Sequence, residues 1–299
     1  MGLVTDGPPP LQPISRVHLH AAPGSTTFEA LCLRFPKIHA SVWLDRFTRG
    51  RVLDQNGAPI RIADQHQPGQ YVSYFREVTA EEPIPFTETI LYQDEHLVVA
   101  DKPHFLPITP TGQWVTETLL SRLMNTLNTP HLSPIHRLDR STAGLVLLAK
   151  NPESRNAYQA LFRDRKIEKT YEALAPPLHE LTFPHVRRTR IVRADRFFLS
   201  QEVPGEANSE THIQVLARGD HQWHYSLSPR TGKKHQLRLH MAALGAPLFN
   251  DPYYPVAHNS IKDDYNTPMA LIARQLKFLD PLTGAERHFV SNHTLGTIR

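Results

Sequence analysis

The spacing of apolar and polar positions changes several times along the chain. In "TTFEALCLRF", Phe28, Leu31 and Phe35 recur at helical spacing, which predicts a helix with Thr26 or Thr27 as its N-cap. "RVLDQNGAPIRI" reads as two short strands around Asn56-Gly57, a dipeptide suited to hairpin turns. "GQYVSYFREV" alternates as a strand does. Residues 1–23 are proline-rich, have no period and read as a loosely held arm. The break at "EEPIP" suggests a boundary, giving an arm and small α/β unit over 1–84 and a larger domain over 85–299.

In the second part, "ETILYQDEHLVVADKP" predicts strand, turn and strand, and "TGQWVTETLLSRLMNTL" a helix with Leu119, Leu120, Leu123 and Leu127 on one side. Further on, "PESRNAYQALFRDRK" reads as a helix and "EKTYEALAP" as a strand. Charged, proline-rich sequence without a clear period runs to about Pro204. "SETHIQVLARG" and "HQWHYSLSP" are further strands. "TGKKHQLRLHMAALG" predicts a helix that starts at Thr231, carries Leu237, Met241 and Leu244 inward and stops at Gly245. Consecutive strands mixed with helices, and no internal repeat, predict an α+β fold with a mixed, mostly antiparallel sheet.

Bulk properties narrow the classes. The 299 residues are 40% hydrophobic and 21% charged, as in globular proteins. A net charge of +4 permits a polyanionic partner without demanding one. With one cysteine, Cys32, an internal disulfide is impossible and a thiolate zinc site is disfavoured, in keeping with a reducing compartment. The 18 histidines show no metal-binding spacing: His235 and His240 are five apart and HExxH is absent, so no metal site is expected. Neither a membrane span nor a signal peptide is recognisable, which predicts a cytoplasmic protein, with monomer as the default state.

Three stretches carry chemistry. In "HRLDRSTAGLVLLAK", Asp139 lies between Arg137 and Arg140, just before an apolar strand. Partial burial there would raise the carboxyl pKa and two guanidiniums would lower it, leaving an ionised carboxylate in a water-poor site. Such a group suits a nucleophile or a stabiliser of developing positive charge; a loop-holding ion pair is the alternative. In "EKTYEALAP", alternation puts Lys169, Tyr171 and Ala173 on one face, leaving room for a flat group against the tyrosine ring. Packing within a sheet is the plainer use of that tyrosine. In "RTGKKHQLRLHM", a helix starting at Thr231 would crowd Lys233, Lys234 and His235 into its first turn, where cations are disfavoured unless an anion binds. Arg230 adds to that charge, and Arg238, one turn further in, is placed to reach a buried carboxylate.

Together and in this order, the segments resemble the RluA-type RNA pseudouridine synthases. "HRLDRSTAGLVLLAK" is similar to that family's H-R-L-D signature, "KTYEA" to K-x-Y-x-A, and "TGKKHQLRLH" to T-G-x-x-H-Q-[IL]-R-x-H. "VVADKPHFLPITPTG" resembles its first motif, with Phe105 where glycine is usual, and "GAPLFNDPYY" and "LIARQLKFLDPLTG" its tail. Ala143 stands where serine is often found and Ala273–Arg274 where histidine–alanine is common. The resemblance covers roughly Glu88 to Val290.

It implies the pseudouridine synthase fold, with a basic cleft in the mixed sheet and no metal or organic cofactor. Asp139 would be the catalytic carboxylate, Tyr171 the platform for the target uracil and a candidate base, and Arg238 the partner of the aspartate. Arg137 would insert where the uridine leaves its stack. Arg140, Lys169, Arg230, Lys233, Lys234 and His235 are further candidates for holding RNA, either ribosomal or transfer. The N-terminal unit faintly resembles the small RNA-binding domain of ribosomal-protein type that many members carry. The alternatives are an RNA-binding protein of the same fold without turnover and a glycoside hydrolase using Asp139. The motif set weighs against the first. The second needs a paired carboxylic acid that the three motifs lack.

Overall fold

A computed structural model describes residues 11–20, 24–67, 69, 71–78, 80–196, 198–257 and 263–296. The chain divides into two compact units. One lies before Glu82 and also takes Thr109–Thr116; the other holds Glu82–Ile108 and the chain from Glu117 onward.

The first unit is built from β1 (Ile14–His18), α1 (Thr27–Arg34), α2 (Ala40–Thr48), β2 (Val52–Leu53) and β3 (Tyr71–Phe75). Its antiparallel sheet has the order β1-β3-β2. Thr26 is the N-cap of α1: its hydroxyl accepts from Glu29 N while the Glu29 carboxylate accepts from Thr26 N, closing a capping box. The Asn56-Gly57 turn forms, with Asp54 N donating to Ala58 O at 2.8 Å, but the second strand of that hairpin shrinks to one bridge, Leu53 to Pro59. Leu31, Trp43, Val52 and Val72 form the core of this unit. The buried Arg46 lies 4.7 Å from the Trp43 ring centre. Residues 109–116 are held by Glu81, whose carboxylate accepts from Val115 N and Thr116 N, and by Arg76, which donates to Pro110 O and Gly112 O.

In the second unit the elements are β4 (Thr89–Gln93), β5 (Leu97–Lys102), α3 (Leu119–Thr126), β6 (Ser133–Pro134), β7 (Ala143–Ala149), α4 (Pro152–Arg163), β8 (Glu168–Ala175), β9 (His185–Arg193), β10 (Ser200–Val203), β11 (Ser209–Arg218), β12 (Trp223–Pro229), α5 (Gln236–Ala243), β13 (Leu271–Leu279) and β14 (Glu286–Val290). They form one sheet in the order β10-β9-β11-β12-β8-β13-β7-β5-β4, with β14 on β13 and β6 on β7. Among the described residues only β13 and β7 pair in parallel. The mixed, mostly antiparallel α+β architecture is as the sequence predicts.

Two apolar cores serve the two halves of this sheet. One packs α5, through Leu237 and Met241, with Tyr225, Leu227 and Leu271; the other gathers Tyr158 and Leu161 of α4 with Leu145, Leu147 and Leu276. β13 contributes to both, through Leu271 and Leu276, and the chemistry-bearing segments meet along the run β8-β13-β7. Gly144 makes this possible. It sits opposite Ala273 with φ at 112°, and a β-carbon there would come within 2.3 Å of Ala273 O.

The structure corrects two expectations. The stretch read as irregular before Pro204 contains β9 and β10. The helix expected from Thr231 begins at Gln236, with His235 as its N-cap in the left-handed conformation at φ 59°. Lys233 and Lys234 therefore lie in the loop before the helix, not in its first turn, and the helix-dipole argument for an anion there lapses.

Candidate active site

The polar half of "HRLDRST" is a loop between β6 and β7. His136 fixes its start: Nε2 accepts from Leu147 N at 3.1 Å, and the ring stacks on Phe162 with centres 4.4 Å apart. Burial, and secondarily the charge of Lys169, push this imidazole down to about 3, so it is neutral and free to accept that N–H. Asp139 O accepts from Thr142 N at 3.1 Å, closing a turn that needs no side chain from Ala143. Beneath the loop, the fully buried Lys102 donates to Pro103 O, Leu106 O and Arg140 O. Burial pushes it down to about 7 while Asp139 pulls it back up. Three carbonyl acceptors around one nitrogen suit the ammonium form.

Asp139 looks into a cavity of about 330 Å³, within the range of about 300–1,000 Å³ usual for small-ligand sites. Its side chain is 26% exposed. Arg238 donates to it from Nη1 at 2.9 Å, and His235 Nε2 lies 3.8 Å away. Burial raises the carboxyl pKa, but the charges of His235, Arg238 and Arg137 outweigh it and hold Asp139 below its ordinary value. His235 is itself pushed down to about 4 by burial. It is neutral near pH 7, so the arginines carry the effect there. Among the described residues Asp139 is the one carboxylate that lines this cavity.

Arg238 projects from α5 and is 1% exposed. Its Nε and Nη2 also grip Asp251 at 2.8 and 2.6 Å, and the rings of Tyr253 and Tyr254 flank it at 5.0 and 5.4 Å. The Asp251 carboxylate is wholly enclosed and additionally accepts from Tyr253 N and Tyr254 N. The guanidinium is thus fixed between two carboxylates, one internal and one facing the cavity.

Tyr171 comes from the middle of β8, opposite Leu227 of β12 and Ala273 of β13. Its ring lines the same cavity. Burial and the negative charge of Asp139 raise its pKa, so the side chain is a neutral phenol near pH 7.

The cavity thus brings together Asp139, Tyr171, Arg238, Arg137, Lys169, Lys233, Lys234 and His235. Arg230 lines an adjoining groove. Arg140 is elsewhere. Its guanidinium pairs with Asp263 at 2.5 and 2.6 Å and donates to Phe105 O, so it does not flank Asp139 as the sequence suggests. Adjacent residues in a turn point apart, and the second guanidinium near Asp139 comes instead from α5. Phe105 adopts φ 66° where the resembled motif has glycine, and its ring packs on Phe86 and Tyr265.

The sequence reading missed two residues. Asp251 lay unremarked in "GAPLFNDPYY". Gln236 is buried and organises the T-G-K-K loop: its Oε1 accepts from Thr231 Oγ1 and Lys233 N, and its Nε2 donates to Glu210 O and Thr211 Oγ1. What gives each its importance is a contact outside its own segment: Asp251 with Arg238, 13 residues away, and Gln236 with Glu210 and Thr211, 26 and 25 residues away.

Residues 96–243 match the family model of RNA pseudouridylate synthases. Over 213 residues the chain is 31% identical to the dual-specificity RNA pseudouridine synthase RluA of Yersinia pestis, covering 67% of this chain and 96% of that protein. The chain belongs to the RluA-type RNA pseudouridine synthases. It is also 29% identical over 259 residues to ribosomal large subunit pseudouridine synthase D of Pseudomonas aeruginosa, covering 81% of this chain and 77% of that one. Among solved structures, human RNA Pseudouridylate Synthase Domain Containing 4 is similar at a TM-score of 0.54 and 29% identity, over 69% of this chain and 88% of that one. The protein is an isomerase that converts uridine in RNA to pseudouridine, and its sheet is that of the pseudouridine synthase fold. Among the described residues no group of histidine, cysteine and carboxylate side chains is arranged to hold a metal ion, and no helix is long and apolar enough to cross a membrane.

Proposed function

We propose that this synthase modifies specific uridines of structured ribosomal or transfer RNA, with Asp139 meeting the ribose, Tyr171 supporting the uracil and Arg238 holding the carboxylate ionised. The observation that carries this reading is one cavity in which Asp139, its Arg238 partner and the ring of Tyr171 converge. The names of relatives from Yersinia pestis and Pseudomonas aeruginosa support RNA, and ribosomal RNA in the second case.

Isomerisation breaks the bond from N1 to the sugar C1′, turns the uracil and joins C5 to C1′. The C5 proton is lost and N1 regains one, so no atoms are gained or lost overall. Positive charge builds on the ribose as the first bond breaks, and an ionised carboxylate at hydrogen-bond reach stabilises or traps it. Among the described residues no second carboxylic acid that could activate water lines the cavity, which favours rejoining of the base over hydrolysis. The uracil first leaves its stack, at a cost of a few kcal/mol, and ring stacking returns ~1–3 kcal/mol per base. Arg137 is exposed at the cavity mouth and suits the vacated stack. Lys169, Lys233, Lys234 and Arg230 supply charge for phosphates. The N-terminal unit, with exposed Arg34, Lys37 and Arg61, serves as an additional RNA-binding part. The protein acts as a cytoplasmic monomer in this reading.

The test uses RNA from cells lacking the gene, probed for carbodiimide-reactive pseudouridine. Wild-type protein restores one or more positions, and Asp139→Asn lowers the rate by at least about 10³-fold without loss of RNA binding. Full rescue by Asp139→Asn refutes the role given to this carboxylate.

A further inference from the structure

The catalytic cavity continues into a larger groove of about 970 Å³, part of whose lining, Arg165 above all, has no role in the chemistry above. The two share Arg137, Lys169, Tyr171 and Thr231. Arg165 lines only the groove. It occupies the first position beyond Asp164, the C-cap of α4, where Arg165 N donates to Phe162 O and Lys166 N to Leu161 O. This is the Schellman pattern, and its left-handed position is the usual place of glycine. Arg165 holds that conformation at φ 56°. A strained residue with a long cationic side chain replaces one that would fit without strain. Among the described residues no carboxylate pairs with Arg165. Lys169 is pushed below its ordinary value by burial first and by the charge of Arg165 second.

The other polar groups of the groove are largely engaged. The Asn208 amide spends its oxygen on Ile191 N and its nitrogen on Ile191 O. The Glu210 carboxylate is held by Arg188 and His212. The exposed Glu168 shares the lining with Arg165, Lys169, Arg230 and Lys233, a clear excess of positive charge. Such a lining offers charge to phosphates and few free amides to base edges.

We infer that the groove is a subsite for the RNA backbone beside the target uridine, with Arg165 as a phosphate ligand, and that it binds without reading base identity. This rests on the assignment of the cavity to the uridine.

The experiment compares wild type, Arg165→Gly, Arg165→Lys and, as a control, Lys166→Ala, which alters an exposed neighbour outside the groove. The probe is total RNA from cells lacking the gene, tritiated at uracil C5. Binding is followed across salt concentrations, turnover by tritium release and stability by thermal melting. Arg165→Gly is expected to melt higher, because glycine removes the left-handed strain. It should bind ~5-fold more weakly and lose ~0.7 of the slope of log affinity against log salt, one phosphate's share. KM rises, saturated turnover stays within about twofold of wild type, and the same positions are modified. Arg165→Lys regains most of the slope and Lys166→Ala matches wild type.

Unchanged affinity and slope in Arg165→Gly overturn the proposal. So does a fall in melting temperature together with binding, which marks a structural brace, or a shift in modified positions, which marks base reading. Absence of tritium release from wild type refutes the uridine assignment instead, while the binding arm still decides the groove.

Discussion

The two ends of the cleft handle charge in opposite ways. At the catalytic end Arg238 is gripped by Asp251, bonded to Asp139 and flanked by two tyrosine rings. In the outer groove Arg165 and Arg230 have no paired carboxylate among the described residues and wait in solvent. On the proposed roles, a group that must not move during chemistry has its counter-charges built in. A group that must accept a partner's charge is left uncompensated, since an internal carboxylate would compete with each phosphate. The same residue type thus serves rigidity in one place and capture in the other.

Removing the locked arginine tests this contrast most severely. Arg238→Ala leaves the Asp251 carboxylate buried without its cation, an arrangement that costs ~3–5 kcal/mol. The variant should melt far below wild type and show no turnover. Arg238→Lys keeps the charge but cannot bond Asp251 through two nitrogens and still reach Asp139. It should fold with a smaller loss of melting temperature and remain at least about 10²-fold slower. Near-normal turnover in Arg238→Lys would mean that charge alone suffices and that the fork geometry is incidental.

Acid separates the two ends without mutation. His104, His235 and His240 are pushed down to about 4 and His136 to about 3, each chiefly by burial. Their ordinary value is 6.5. Between 6.5 and those depressed values the unfolded chain binds more protons than the folded one, so stability rises with pH and is lost on acidification. Each such imidazole contributes a slope of up to about 1.4 kcal/mol per pH unit. Melting temperature should therefore fall from pH 7 to pH 5. The salt slope of RNA binding, set by arginines and lysines, should hold over that range while the protein stays folded. A flat melting temperature across this window would show that the imidazoles are not kept neutral by the fold.

Sequence pattern was most legible where chemistry is local. The period-two face of "EKTYEALAP" places Lys169 and Tyr171 together, and both line the cavity. Phe28 and Leu31 mark α1, and its capping box follows from Thr26 and Glu29 three residues apart. The pattern failed where the determining contact is long-range. Arg140 stands beside Asp139 in sequence yet pairs with Asp263, and Arg238 reaches Asp139 from 99 residues away. β9 was hidden because "HVRRTRIVR" is half-exposed on both faces and carries arginines where alternation would show apolar residues. The early start assigned to α5 came from Thr231, a good cap residue whose hydroxyl instead donates to Gln236.

The smallest expected effect lies in the loop before α5. Lys233 and Lys234 are exposed there and line the cavity mouth. Changing both to alanine removes no buried group, so stability should stay within about 0.5 kcal/mol of wild type. If each lysine neutralises one phosphate, the salt slope falls by ~1.4, twice the single-strand contribution of ~0.7. Loss of affinity should then be large at 50 mM salt and modest at 200 mM, because fewer counterions are released on binding. Saturated turnover should change little, as Asp139 keeps its bond to Arg238. A fall in turnover with an unchanged slope would place these lysines with the locked charges of the catalytic end and erase the division between the two regions.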